Sequence, residues 1–146
     1  MMIELFTGTV IAIGSVIAQK TLEKTEDKVS DILSEKISQF INALTKTAPK
    51  IATALALAPE QPLDYGQAVL EVETAAKNNT ELSQSIDELA KAAEAEPPPN
   101  ITEILQKIDQ ELQQKQFSIQ NLAKLTEKIN NFNQAQTIHI IQNNTF

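Results

Sequence analysis

Between Glu4 and Lys20 the chain runs from Leu5 to Gln19 without a charged side chain. Ile3, Phe6, Val10, Ile13 and Ile17 recur here at alternating spacings of three and four, which predicts a helix over 3–20 with a bulky stripe along one side. Gly8, Ala12, Ser15 and Ala18 form a ridge of small residues beside it, a surface that admits another helix closely and that recurs where helices pack in lipid. Gly8 and Gly14 each cost such a helix roughly 1 kcal/mol relative to alanine, a penalty that packing or function must offset. The candidate membrane-active positions are Glu4, Leu5, Phe6, Gly8, Val10, Ala12, Ile13, Gly14, Ile17 and Ala18. The uncharged run reaches about 22 Å, short of the roughly 30 Å hydrocarbon core of a bilayer. Three readings stay open: a buried core helix, a helix that enters membranes conditionally, and the apolar region of a signal peptide. The acidic start, Met-Met-Ile-Glu, opposes the last.

The next segments are amphipathic. Val29, Ile32, Leu33, Ile37, Phe40, Ile41 and Leu44 keep helical spacing, with acids toward the start and Lys46 at the end, as a helix dipole favours. Pro49 suits a first helical position, and Ile51, Leu55 and Ala58 carry a short helix that stops at Pro59. Asp64 with Gln67 reads as a cap and its reciprocal side chain, opening a helix through Val69, Val72 and Ala76 that ends near Asn78 and Asn79. Thr80 is the expected cap of one more, with Leu82, Ile86, Leu89 and Ala93 inward. Pro97, Pro98 and Pro99 form a stiff spacer. Beyond it Ile101, Leu105, Ile108, Leu112, Ile119, Leu122 and Ile129 follow a heptad-like spacing interrupted at Lys115 and Thr126, a Gln-rich amphipathic helix. The expected fold is all-α: a compact antiparallel helical bundle over 1–95, a spacer and helix over 96–128, and an extended tail over 129–146 that is disordered in the monomer.

Charge narrows the chemistry. The chain carries −7, its twelve basic residues are all lysine, and it has one histidine, three glycines and no cysteine. Disulfides and thiolate chemistry are excluded, and neither a metal site nor a glycine-rich phosphate loop is expected. No catalytic residue, cofactor or metal ligand is assigned, and the chain is read as a non-enzyme. Without arginine and with net negative charge it is not expected to bind nucleic acid, which requires neutralising phosphates. Six lysines meet six acids in residues 1–50, two meet nine in 51–99, and four meet four in 100–128, so the whole excess lies in the middle.

From Ile129 to Phe146 there is no Asp, Glu, Lys or Arg, and eight of these 18 residues are Asn or Gln. Helical spacing stops, and Ile138, Ile140 and Ile141 crowd β-branched side chains around His139. High β-propensity without charge, proline or glycine is the composition of a steric zipper, in which Asn and Gln ladder along the stacking axis. The amyloid-core candidates are Gln136, Thr137, Ile138, His139, Ile140, Ile141, Gln142, Asn143 and Asn144.

The glycine-bearing apolar first helix, the helical segments after it and this short motif together resemble a bacterial Bell-domain protein carrying a bacterial amyloid signalling sequence. Bell domains are counterparts of fungal HeLo domains and share the design of the four-helix killer domain of the mixed-lineage kinase-like necroptosis effector. Residues 136–144 are similar to bacterial motifs related to the animal RIP homotypic interaction motif: Ile141-Gln142 matches the shared core. Asn143-Asn144 departs from the animal pattern of an aliphatic residue and glycine, which makes the bacterial family the better fit. The resemblance implies a membrane-disrupting or pore-forming cell-death effector in antiphage defence, templated by an NLR-like sensor that bears a matching motif. It further implies homotypic assembly, a cytoplasmic resting state and a membrane-bound active one. Two other readings stand beside it: a non-enzymatic helical adaptor docking a partner by its C-terminal strand, and a secreted helical protein with a signal peptide.

A peptide of residues 129–146 should form thioflavin-positive cross-β fibrils. Stacked copies of His139 would lie about 4.8 Å apart, where two imidazolium charges repel by roughly 1 kcal/mol in water. Fibril growth should therefore be slower at pH 5 than at pH 8, read by thioflavin kinetics.

Overall fold

The computed structural model describes residues 5–23, 29–57, 64–98, 100–113, 127 and 129–130. Six helices carry almost all of them: α1 Leu5–Glu23, α2 Asp31–Thr47, α3 Pro49–Leu57, α4 Tyr65–Lys77, α5 Thr80–Ala95 and α6 Ile101–Gln113. No strand occurs among the described residues, so the fold they form is all-α.

The helices begin where short polar side chains can take orphan backbone donors. Leu33 N–H donates to the Ser30 hydroxyl at 3.1 Å to open α2, and Gln67 N–H donates to Asp64 at 3.1 Å to open α4. At α5 the cap is Asn79 rather than Thr80: Asn79 is extended and accepts from Leu82 N–H at 2.9 Å, which leaves Thr80 as the first helical residue. The N–H of Tyr65, at the start of α4, donates at 3.2 Å to the Glu111 carboxylate, brought from α6.

The packing centres on α1, which touches all five other helices. Its neighbours bring one apolar face each. In α2 that face is Leu33, Ile37, Phe40, Ala43 and Leu44, and in α5 it is Leu82, Ile86, Leu89, Ala90 and Ala93. Ile32, grouped with the α2 apolar positions by spacing, is instead 60% exposed. One residue step turns a helix by about 100°, so with Leu33 inward Ile32 faces out.

Ion pairs fix directions. Lys36 meets Glu88 at 2.8 Å and Lys46 meets Glu81 at 3.3 Å, so position rises along α2 as it falls along α5 and the two run antiparallel. Hydrogen bonding to Glu88 raises the Lys36 pKa, against the opposing effect of desolvation. The chain then turns through Pro97 and Pro98, and α6 returns along α1 in the opposite direction. The Asn100 amide reaches the Ala18 carbonyl at 3.5 Å, while Gly14 lies against Leu105 and Ile108. The helical unit therefore continues past residue 95: α6 buries Ile101, Leu105, Ile108 and Leu112 against the same core, and Ile129 joins it at 3% exposure.

Gly14 sets how closely α6 lies on α1. A Cβ there would fall 2.8 Å from Leu105 Cδ2 and 3.6 Å from Ile101 Cδ1. Leu105 is fully buried and has little room to turn aside. Gly14→Val should destabilise the fold by about 1–3 kcal/mol through overpacking, read as a lowered denaturation midpoint; Gly14→Ala should lose less, since alanine regains roughly 1 kcal/mol of helix propensity.

Candidate functional site

The first of the two candidate segments lies inside the core. Phe6, Gly8, Val10, Ala12, Ile13, Gly14, Ile17 and Ala18 are buried and Leu5 is half-buried; Glu4 lies outside the described residues. The second segment, Gln136, Thr137, Ile138, His139, Ile140, Ile141, Gln142, Asn143 and Asn144, lies wholly outside them, as do residues 131–146 in general.

Spacing separates a bulky stripe from a small ridge on the first helix, and the structure buries the ridge and, of the stripe, Phe6, Val10, Ile13 and Ile17; Ile3 lies outside the described residues. The structure also buries what lies between stripe and ridge: Ile11 is 0% exposed and Val16 2%. From Phe6 to Ala18 there is no exposed position on any side. The hydroxyls inside this stretch are largely turned onto the helix's own backbone. Thr9 donates to Leu5 O at 2.7 Å and Ser15 to Ile11 O at 2.8 Å. Such bonds spend the polar group locally and leave an apolar surface outward. Thr7, 4% exposed, has a hydroxyl with no partner among the described residues.

At 1.5 Å per residue the 19 residues of α1 span about 28 Å, close to the roughly 30 Å of a hydrocarbon core. The helix is thus longer than the uncharged run inside it, because Lys20–Glu23 continue it. Among the described residues it is the helix long and apolar enough to cross a membrane, and in this structure most of that surface is covered by protein.

The cover can be assigned side by side. Gly14 meets Ile101, Leu105 and Ile108 of α6, and Gln19 donates to the Ser34 hydroxyl of α2 at 3.2 Å. Spacing identifies the apolar face of α6 but not the surface it covers. The helix penalty at Gly14 calls for a packing partner that spacing does not name, since Gly14 stands outside the ridge of Gly8, Ala12, Ser15 and Ala18; the partner is Leu105. The signal was present as a second glycine inside a strongly helical run.

Burying the large side chains of α1, Phe6, Val10, Ile11, Ile13, Val16, Ile17 and Leu22, is worth on the order of 10–20 kcal/mol against exposure to water. That matches or exceeds the whole stability of a typical domain, about 5–15 kcal/mol. Exposing α1 to water therefore amounts to unfolding. Exposing it to hydrocarbon forfeits little of that term, because lipid tails are as apolar as leucine.

No group of three or more His, Cys, Asp or Glu side chains placed to hold a metal occurs among the described residues. Comparison with known protein families, with curated proteins and with solved structures finds no match for this chain.

The chain's one tyrosine, Tyr65, reports on the α4–α6 junction. Burial raises its pKa above 10.0, and the nearby Glu111 carboxylate adds to the shift. The folded state thus holds the phenolic proton more tightly than the unfolded chain. This contribution to stability is intact below about pH 10 and is lost as pH rises through the folded pKa. Ultraviolet titration should give a midpoint above 10.0, and Glu111→Gln should lower it part of the way, burial being the larger cause.

Proposed function

We infer that this chain is a regulated cell-death effector that disrupts membranes with its first helix after its C-terminal segment is templated into an amyloid. On this reading the bundle is HeLo/Bell-like, the body waits in the cytoplasm, and an NLR-like sensor with a matching motif starts assembly of residues 129–146. The observation that carries it is the apolar circumference of α1, from Phe6 to Ala18, on a helix of membrane-spanning length. The uncharged β-prone end of the sequence supports it from the other side.

The energetics define the trigger. Because α1 cannot be released into water, activation has to hand it directly to lipid or to copies of itself. Chains gathered along one fibre meet that requirement, since tethering raises local concentration by orders of magnitude without any new contact. In the membrane, Gly8, Ala12, Ser15 and Ala18 would allow close helix contacts, and Glu4 at the leading end would stay near the interface or be neutralised.

The enclosure of α1 by five helices favours a second reading, a non-enzymatic helical adaptor in which α1 is only core and the tail docks a partner as a strand. Dye-loaded liposomes separate the two. Full-length protein seeded with fibrils of the 129–146 peptide should release dye about tenfold or more faster than unseeded protein, and a chain lacking 129–146 should not respond to seed. Seeded fibres that leave liposomes intact support the adaptor.

A further inference from the structure

One concave surface is left open at the corner where α2 passes into α3. It encloses about 570 Å³ between the start of α3 and the second half of α4. That is within the range of clefts that hold small ligands, about 300–1,000 Å³. Pro49 and Ile51 form one wall and Leu70 and Ala75 the other. Leu70 is 46% exposed although it sits in a concavity, one of three large hydrophobic side chains left so open among the described residues. The rim carries one charge of each sign, Lys50 and Glu71. At the far end Asn78 uses its Nδ2 on the Thr74 carbonyl at 3.2 Å, which leaves its amide oxygen as an acceptor.

We propose that the occupant of this groove is the chain's own uncharged segment, residues 131–146, held there in the monomer and released on assembly. Lys50 and Glu71 leave the rim without net charge, so it gives a strongly charged peptide no net attraction to offset desolvating its charges, a cost that a neutral segment rich in amides does not carry. Residues 131–146 have no charged side chain, and in extended form Ile138 and Ile140 fall on the same face, flanked by Gln136 and Gln142. That pattern offers aliphatic side chains to Ile51 and Leu70, and amides to Lys50, Glu71 and Asn78.

Tethering makes the occupant local. Ile129 is buried in the core and Asn130 is exposed, so the segment starts at the body's own surface. The five residues between Asn130 and Gln136 extend up to about 18 Å, so the tether presents Gln136–Gln142 to a groove within that reach of Asn130. A short tether gives an effective concentration on the order of 1 mM, so a dissociation constant of that size keeps about half of the segments docked. Docking and stacking use the same isoleucines, so the groove competes with templating.

The groove itself stands on the structure; its consequence for assembly rests on the self-assembly proposed above. The chain has no cysteine, so Asn143→Cys in the full chain takes a single nitroxide label. In dilute monomer the label should broaden the amide signals of residues 48–51 and 70–78 selectively. Leu70→Lys should abolish that broadening and raise the free fraction about twofold, with fibril growth faster in proportion. Leu70 is half open to solvent, so the variant keeps the core intact. Uniform or absent broadening overturns the proposal, as does broadening that Leu70→Lys leaves unchanged. Label on one chain broadening signals of a second, isotope-labelled chain also overturns it, in favour of a second copy as occupant. Broadening that Leu70→Lys abolishes in a chain that never forms fibrils refutes self-assembly and leaves the docking standing; fibrils without broadening do the reverse.

Discussion

A helix without a polar face has to be enclosed on every side, and α1 imposes that requirement on the remaining chain. Between Phe6 and Ala18 it offers water nothing, and its hydroxyls at Thr9 and Ser15 are folded back onto its own carbonyls. The five surrounding helices are amphipathic or short, and each contributes a partial arc to a cylinder that one neighbour could not cover. Outside that cylinder Lys36–Glu88 and Lys46–Glu81 tie α2 to α5. Lys46–Glu81 is exposed and contributes little energy, and Lys36–Glu88 is half-buried. Their value here is registry, since the apolar term they accompany is far larger.

The same constraint bears on what α1 can do. A protein interior and a bilayer core satisfy an apolar helix by similar means, so the term that binds α1 into the bundle in water nearly vanishes when the alternative is lipid. What still distinguishes the two is packing. In the bundle the backbone of Gly14 receives Leu105, a fit that hydrocarbon tails do not reproduce. On the proposed reading the covering helices decide between bundle and membrane, as a two-state element does when a ligand or neighbour favours one state.

Most of the helical scaffold was legible in the sequence because its local signals agree with one another. Asp64 before Gln67, Pro49 at a first position and the inward spacing of Leu82, Ile86, Leu89 and Ala93 each state a boundary or a face that the structure repeats. The cap at Asn79 was missed by one residue, because Asn and Thr are both good caps and only backbone conformation selects between them. The surroundings of α1 were not legible. A stripe at helical spacing shows that one side is buried, and only the arrival of α4, α5 and α6 from later in the chain decides that every side is. For the same reason the heptad spacing of Ile101, Leu105 and Ile108 disclosed an apolar face without disclosing that Gly14 lies beneath it. Of the two candidate segments, the structure bears on the first alone, since 136–144 lie outside the described residues.

The opposite ends of the chain are joined by a mismatch of size. If residues 129–146 stack, each copy advances the fibre by about 4.8 Å, whereas a compact body of this length is roughly 40 Å wide. Successive bodies cannot sit above one another and must splay outward, competing for the space around a common axis. Each carries −7, with the excess in residues 51–99, so they also repel within a Debye length of about 8–10 Å. Both effects build up as a body gains neighbours along the stack, and both act on the point where the body meets it. That point is Ile129, which is itself buried in the core. Crowding along a fibre would thus load a place, among the described residues, where the assembling segment meets the core. Nothing comparable acts on a dilute monomer, so the fold can be stable alone and strained in company without any change in its own interactions.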